Sequence, residues 1–273
     1  MKKIFTRNEL ALFFIFAFLF SWLIEFLLIA VRNHWLQIQI PMGLHYFASF
    51  GPMVSAFLVT WLTHGHQGIA ELWSRITRWR VNKQMAAFSV LSPLAFYLLG
   101  ILVNFIITKE WPVFSLLGQA NYLPNLGLGA ILLWLATFGF GEEIGWRGFA
   151  LPRLQKNHSA LSASILIGLI WIFWHIPAFF YHETYTEMSP MLLMGMSIGI
   201  LLGSIMLTWL YNSTGGSIFF VAVWHGFFDF FSAGQSNGPW VAPIISFCII
   251  FLAIRTLKIY PKATLSAFPK QVV

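Results

Sequence analysis

The chain has 273 residues, 58% of them hydrophobic and only 9% charged, with a net charge of +7 and a single cysteine. This composition excludes an ordinary soluble domain, because runs of about 20 apolar residues are long enough to cross a bilayer as helices. One cysteine also excludes an internal disulfide and any multi-cysteine metal site, which leaves Cys248 as a small apolar filler.

The apolar runs are continuous rather than alternating, too long for barrel strands, so the backbone must satisfy itself inside lipid as helices. The expected fold is all-α: a polytopic membrane bundle of about eight transmembrane helices, one integral domain over residues 1–273. In chain order the predicted spans are 10–31, 42–62, 85–107, 122–140, 160–181, 189–211, 215–233 and 239–257. Lys2, Lys3 and Arg7 imitate the basic region of a signal peptide. The apolar stretch after them is too long and has no small-residue cleavage site, so a retained first span is expected.

Between spans two and three, Ile69, Leu72, Trp73, Ile76 and Trp79 recur at helical spacing among Arg75, Arg78 and Arg80. That pattern predicts an amphipathic helix lying in the interface. Trp35, Trp111 and Trp240 fall where an interfacial aromatic belt is expected. Gly195, Gly199 and Gly203 in span six are spaced for close helix packing, read here as packing within the monomer. Pro52 and Pro177 each remove a backbone donor and are expected to kink spans two and five.

The basic residues follow the topology rather than mark a nucleic-acid partner, and none is expected. Fourteen of the sixteen Lys and Arg residues fall on one side of an eight-span arrangement, against Arg32 and Lys109 on the other. The positive-inside rule then predicts both termini in the cytoplasm. An integral protein of a bacterial plasma membrane is the expectation.

The stretch Gly141-Glu142-Glu143-Ile144-Gly145-Trp146-Arg147 closes span four. Two adjacent carboxylates are out of place among only nine acidic residues, since charge at membrane depth is costly and marks function. Adjacent helical residues point about 100° apart. Arg147, four residues after Glu143, is expected to neutralise it. Glu142 is left facing into the bundle, a candidate general base able to exchange a proton with water. On span five, Trp171 is four residues before His175, so indole and imidazole should pack together. On span seven, His225 and Asp229 share a face, where the carboxylate can orient the imidazole or both can serve as metal ligands.

In this order, Glu142-Glu143-x-x-x-Arg147, Trp171-x-x-x-His175 and His225-x-x-x-Asp229 resemble the three motifs of the CPBP family. These are the CAAX proteases and bacteriocin-processing enzymes, also called Abi, typified by the type II CAAX prenyl endopeptidase. The resemblance implies an intramembrane endopeptidase with a catalytic core over about 123–233. Glu142 and His175 would activate the attacking water, and His225 with Asp229 would stabilise the oxyanion or help hold a metal. Glu143, Arg147 and Trp171 would support them. The partners implied are the bilayer and a peptide or protein substrate at the membrane. Trp171 stands where the family pattern has Phe, and Asp229 is the acidic variant of the third motif, which favours a role orienting His225.

Metal dependence stays open. Glu142, His175, His225 and Asp229 make either a zinc site with an open position or a metal-free water-activating set. The metal-free set is favoured because no second carboxylate is free to act as base once Glu142 is a ligand. Two other classes fit the same membrane fold: a non-catalytic immunity or scaffold protein, and a proton-coupled transporter.

Two points await the structure. If span five starts at Ala160, His175 lies about 22 Å along it, deeper than Glu142 at the end of span four. The two meet only if the span-four helix continues past Arg147, or if the serines at 159, 162 and 164 lie outside the membrane. Glu25, in the middle of span one, is a further buried carboxylate, expected to pair with a neighbouring helix.

Overall fold

The computed structural model describes residues 8–232 and 238–273. The basic cluster of Lys2, Lys3 and Arg7 and the predicted end of span seven at Ala233 lie outside the described residues.

The eight predicted runs correspond to α1 (Glu9–Arg32), α2 (Gly51–Ile76), α3 (Lys83–Thr108), α4 (Gly127–Asn157), α5 (Ala160–Trp174), α6 (Pro190–Ser213), α7 (Ile218–Ser232) and α8 (Val241–Ile259). Seven of these regions, with α2 taken from Met42 and α5 taken on to Phe180, are long and apolar enough to cross a membrane, and α7, with 15 residues, is shorter. The polytopic helical bundle is therefore as expected. Local chemistry sets several starts. The side chains of Asn82, Ser159 and Ser189 accept from the backbone N–H groups of Gln84, Ser162 and Leu192, and Pro190 follows its cap directly. These are the residue types that satisfy the orphan donors of a first helical turn. Leu23, Leu132, Leu169 and Phe247 are exposed on the outside of the bundle, as suits a lipid-facing surface.

Several expectations are corrected. Pro52 does not kink span two; it lies in the first turn of α2, where a missing N–H costs no internal bond. The bend in α2 is at Gly65, whose φ of 62° and ψ of −151° break the helix before its amphipathic end. Beyond the bend, Leu72 and Ile76 are buried while Trp73 is exposed. Arg75 is not on a wet face. Its Nη1 donates to the Gly148 carbonyl at 2.6 Å and to the Tyr211 hydroxyl at 2.9 Å, tying α2 to α4 and α6. The glycines of α6 do not pack within the monomer either: a Cβ at Gly195, Gly199 or Gly203 would meet nothing within 4 Å.

The largest difference from the predicted spans is in α4. It continues past Phe140 to Asn157, and two π-helical segments, Leu135–Glu142 and Trp146–Ala150, flank the turn Glu143–Gly145. Such wide turns inside α-helices recur at functional sites. Helix α7 packs along Leu135–Glu142, and α2 packs on the turn that follows. Glycine permits both approaches. A Cβ on Gly226 would fall 2.9 Å from Leu135 Cα, and one on Gly145 would fall 2.4 Å from Pro52 Cβ. Helix α5 ends at Trp174, with a 3-10 turn, Ile176–Phe180, carrying Pro177 beyond it. Pro177 thus ends the helix rather than bending it.

Candidate active site

Every residue from Gly141 to Ala150 is buried, so the charges of this stretch must find partners inside the protein. Glu143 and Arg147 do so as predicted, with Arg147 Nη1 donating to Glu143 Oε1 at 2.9 Å and both side chains fully buried. The same Glu143 oxygen lies 2.8 Å from His225 Nδ1, a contact close in distance but not aligned as a hydrogen bond. The other ring nitrogen of His225, Nε2, lies 3.4 Å from Asp229 Oδ2. His225 therefore sits between two carboxylates. It pairs with Asp229 as its spacing predicts, and with Glu143 as its spacing does not.

Glu142 points to a different helix. Its Oε2 accepts from the indole Nε1 of Trp171 at 2.7 Å. Glu142 reaches the helix that carries His175, and Trp171 links the two. Because α4 runs on past Arg147, Glu142 meets α5 at Trp171, one turn before His175. Trp171 is the junction of the site. Its ring meets the edge of His225 with centroids 5.3 Å apart, and the Arg147 guanidinium lies over it at 4.8 Å. Its own carbonyl accepts from His175 Nδ1 at 2.7 Å, and the two rings are 6.0 Å apart. Indole and imidazole do pack together, as expected. The hydrogen bond to Glu142 was not anticipated, although a Trp in an apolar span has an N–H that needs an acceptor.

The imidazole of His175 also faces a cavity of about 20 Å³, lined by Glu25, His45, Ser49, Trp174 and Tyr185 among others. Glu25 is paired there, its Oε1 accepting from the Tyr181 hydroxyl at 3.3 Å. His45 Nδ1 approaches the same hydroxyl at 2.5 Å. His45, Tyr181 and Tyr185 were not singled out from the sequence. Their only signal was that polar rings recur in apolar stretches.

The donor set is poorly arranged for zinc. Both His225 nitrogens face carboxylates, His175 Nδ1 is held by a carbonyl, and Glu142 Oε2 is held by an indole. Among the described residues, no three His, Cys, Asp or Glu side chains are grouped as a metal would require. As arranged, Glu142, His175, His225 and Asp229 do not fit the ion.

The fold and site together define a polytopic helical membrane protein with carboxylates and imidazoles gathered inside the bundle. Residues 123–231, which include all seven of these side chains, match the family model of the type II CAAX prenyl endopeptidases, Rce1-like. CAAX prenyl protease 2 of Methanococcus maripaludis is 34% identical over 111 residues, which are 39% of this chain and 39% of that protein. The chain thus spans about two fifths of the length of this curated relative.

Proposed function

We propose that the protein is an intramembrane endopeptidase, which hydrolyses a peptide bond of a membrane-associated protein or peptide by activated-water attack. The observation that carries this reading is the Trp171 junction, where one buried side chain touches Glu142, Arg147 and His225 and its carbonyl holds His175. A scaffold has no need to gather all of these.

In the proposed reaction Glu142 takes a proton from water, with His175 Nε2 orienting the water from the other side. The water oxygen bonds to the carbonyl carbon, and the carbonyl electron pair moves to its oxygen. His225, held between Glu143 and Asp229, turns Nε2 from its longer contact toward that oxyanion. The C–N bond then breaks, and the proton on Glu142 passes to the departing nitrogen. The carbonyl re-forms as the C–N bond breaks, one water is consumed, and the products are a carboxylic acid and an amine, which settle as carboxylate and ammonium. Arg147 balances the charge of Glu143 throughout.

We assign this core to residues 123–233 and read the mechanism as metal-free. The name of the relative supports a prenylated CAAX-type tail as substrate, and the bias of Lys and Arg supports cytoplasmic termini. The test uses the purified full chain with a prenylated peptide and its unprenylated twin. Glu142→Ala and His175→Ala are each expected to abolish cleavage; unchanged turnover in both removes the assignment.

A further inference from the structure

Glu25 is a buried carboxylate on α1 that the reaction above does not use. Only one of its oxygens is engaged: Oε1 accepts from Tyr181, while Oε2 is buried without a hydrogen-bond partner. His175 has a matching lack. A carbonyl can only accept, so its bond to the Trp171 carbonyl places the proton on Nδ1 and leaves Nε2 of the neutral ring as an acceptor. Both residues line the same cavity of about 20 Å³. A single water needs only about 10–15 Å³ of such space, with two to four polar partners. Water carries two hydrogens, and Glu25 Oε2 and His175 Nε2 are acceptors on two residues that line the cavity.

We propose that Glu25 is a positioning residue of the hydrolytic site, holding through one shared water the imidazole of His175 in its working orientation. The water donates one hydrogen to Glu25 Oε2 and the other to His175 Nε2. The ring is then secured at both nitrogens, by the Trp171 carbonyl on one side and by the water on the other. When substrate enters, the attacking water takes this water's place at Nε2, which is already turned and already the acceptor.

This inference rests on the proteolytic reading, and its experiment separates the two. Cleavage of the prenylated peptide is measured for the wild type, Glu25→Gln and Tyr181→Phe, alongside thermal midpoints. Glu25→Gln is expected to lower kcat by about tenfold or more with KM within about twofold, the split of a lost positioning contact rather than lost binding. Tyr181→Phe removes the structural bond and keeps Oε2, and is expected to retain most of kcat. A wild type that cleaves nothing counts against proteolysis. An active wild type whose kcat survives Glu25→Gln counts against Glu25 alone, as does a Tyr181→Phe loss of the same size. A second readout needs no variant to fold: in the ¹⁵N-histidine-labelled wild type, the His175 signal is expected as the Nδ1–H tautomer, with exchange contact to a bound water at Nε2. The other tautomer, or no water contact, overturns the proposal.

Discussion

The indole of Trp171 donates to Glu142 across the α4–α5 interface at 2.7 Å, inside a fully buried stretch. A hydrogen bond to a charged group contributes about 1.5–3 kcal/mol. Trp171→Phe keeps the ring and removes the donor. It is expected to lower kcat by about 10- to 100-fold in steady-state cleavage assays. The thermal midpoint should fall only modestly, because the aromatic packing against Arg147 and His225 remains.

Arg147 is the one guanidinium paired to Glu143, and neither is reached by solvent. Removing one partner of such a pair leaves an uncompensated buried charge, at a cost of about 3–5 kcal/mol. Arg147→Ala should therefore lower stability by that order in thermal unfolding. The double variant Glu143→Gln with Arg147→Met removes both charges and is expected to recover much of the loss. A double variant no more stable than Arg147→Ala would mean that the cost lies in packing.

The metal-free reading makes a direct statement about composition. Active purified protein is expected to contain well under one equivalent of zinc by elemental analysis, and a chelator followed by desalting should leave its turnover unchanged. One tightly held zinc whose removal abolishes cleavage, and whose return restores it, would replace the mechanism proposed above.

The meeting of α4 and α2 depends on the absence of a side chain at Gly145, where a Cβ would fall 2.4 Å from Pro52 Cβ and 2.6 Å from its carbonyl oxygen. Backbone cannot swing aside as a flexible side chain can. Gly145→Ala is expected to destabilise by about 1–3 kcal/mol, the range for overpacking a close contact. Gly195→Ala, where a Cβ meets nothing within 4 Å, should leave the unfolding midpoint nearly unchanged.

Much of this was legible in the sequence, for physical reasons. Apolar runs of bilayer length announce helices whatever their order in space, and spacings of four announce pairs on one face, so Glu143 with Arg147 and His225 with Asp229 could be read directly. What crosses between helices could not. The bond from Trp171 to Glu142 depends on the relative depth of α4 and α5, and that depth depends on α4 running on to Asn157. A fall in hydropathy suggested an end at Phe140, because the polar residues that follow look like a loop when their partners are unseen. Arg75 misled in the same way. Spacing put it on a polar face, whereas Gly148 and Tyr211 take its Nη1 inside and only its partner Glu71 reaches the surface. The glycines of α6 carried the opposite error, a packing signal with nothing packed against it.

The wide turns of α4 make the length of the chain there a matter of chemistry. A wide turn already absorbs one extra residue between Leu135 and Phe140, and a further single-residue insertion there would have no such turn to absorb it. Everything after it would then swing by about 100°. Glu143 would leave His225, and Glu142 would face away from α5. Natural variation in this stretch should therefore be far freer in the identity of its residues than in their number.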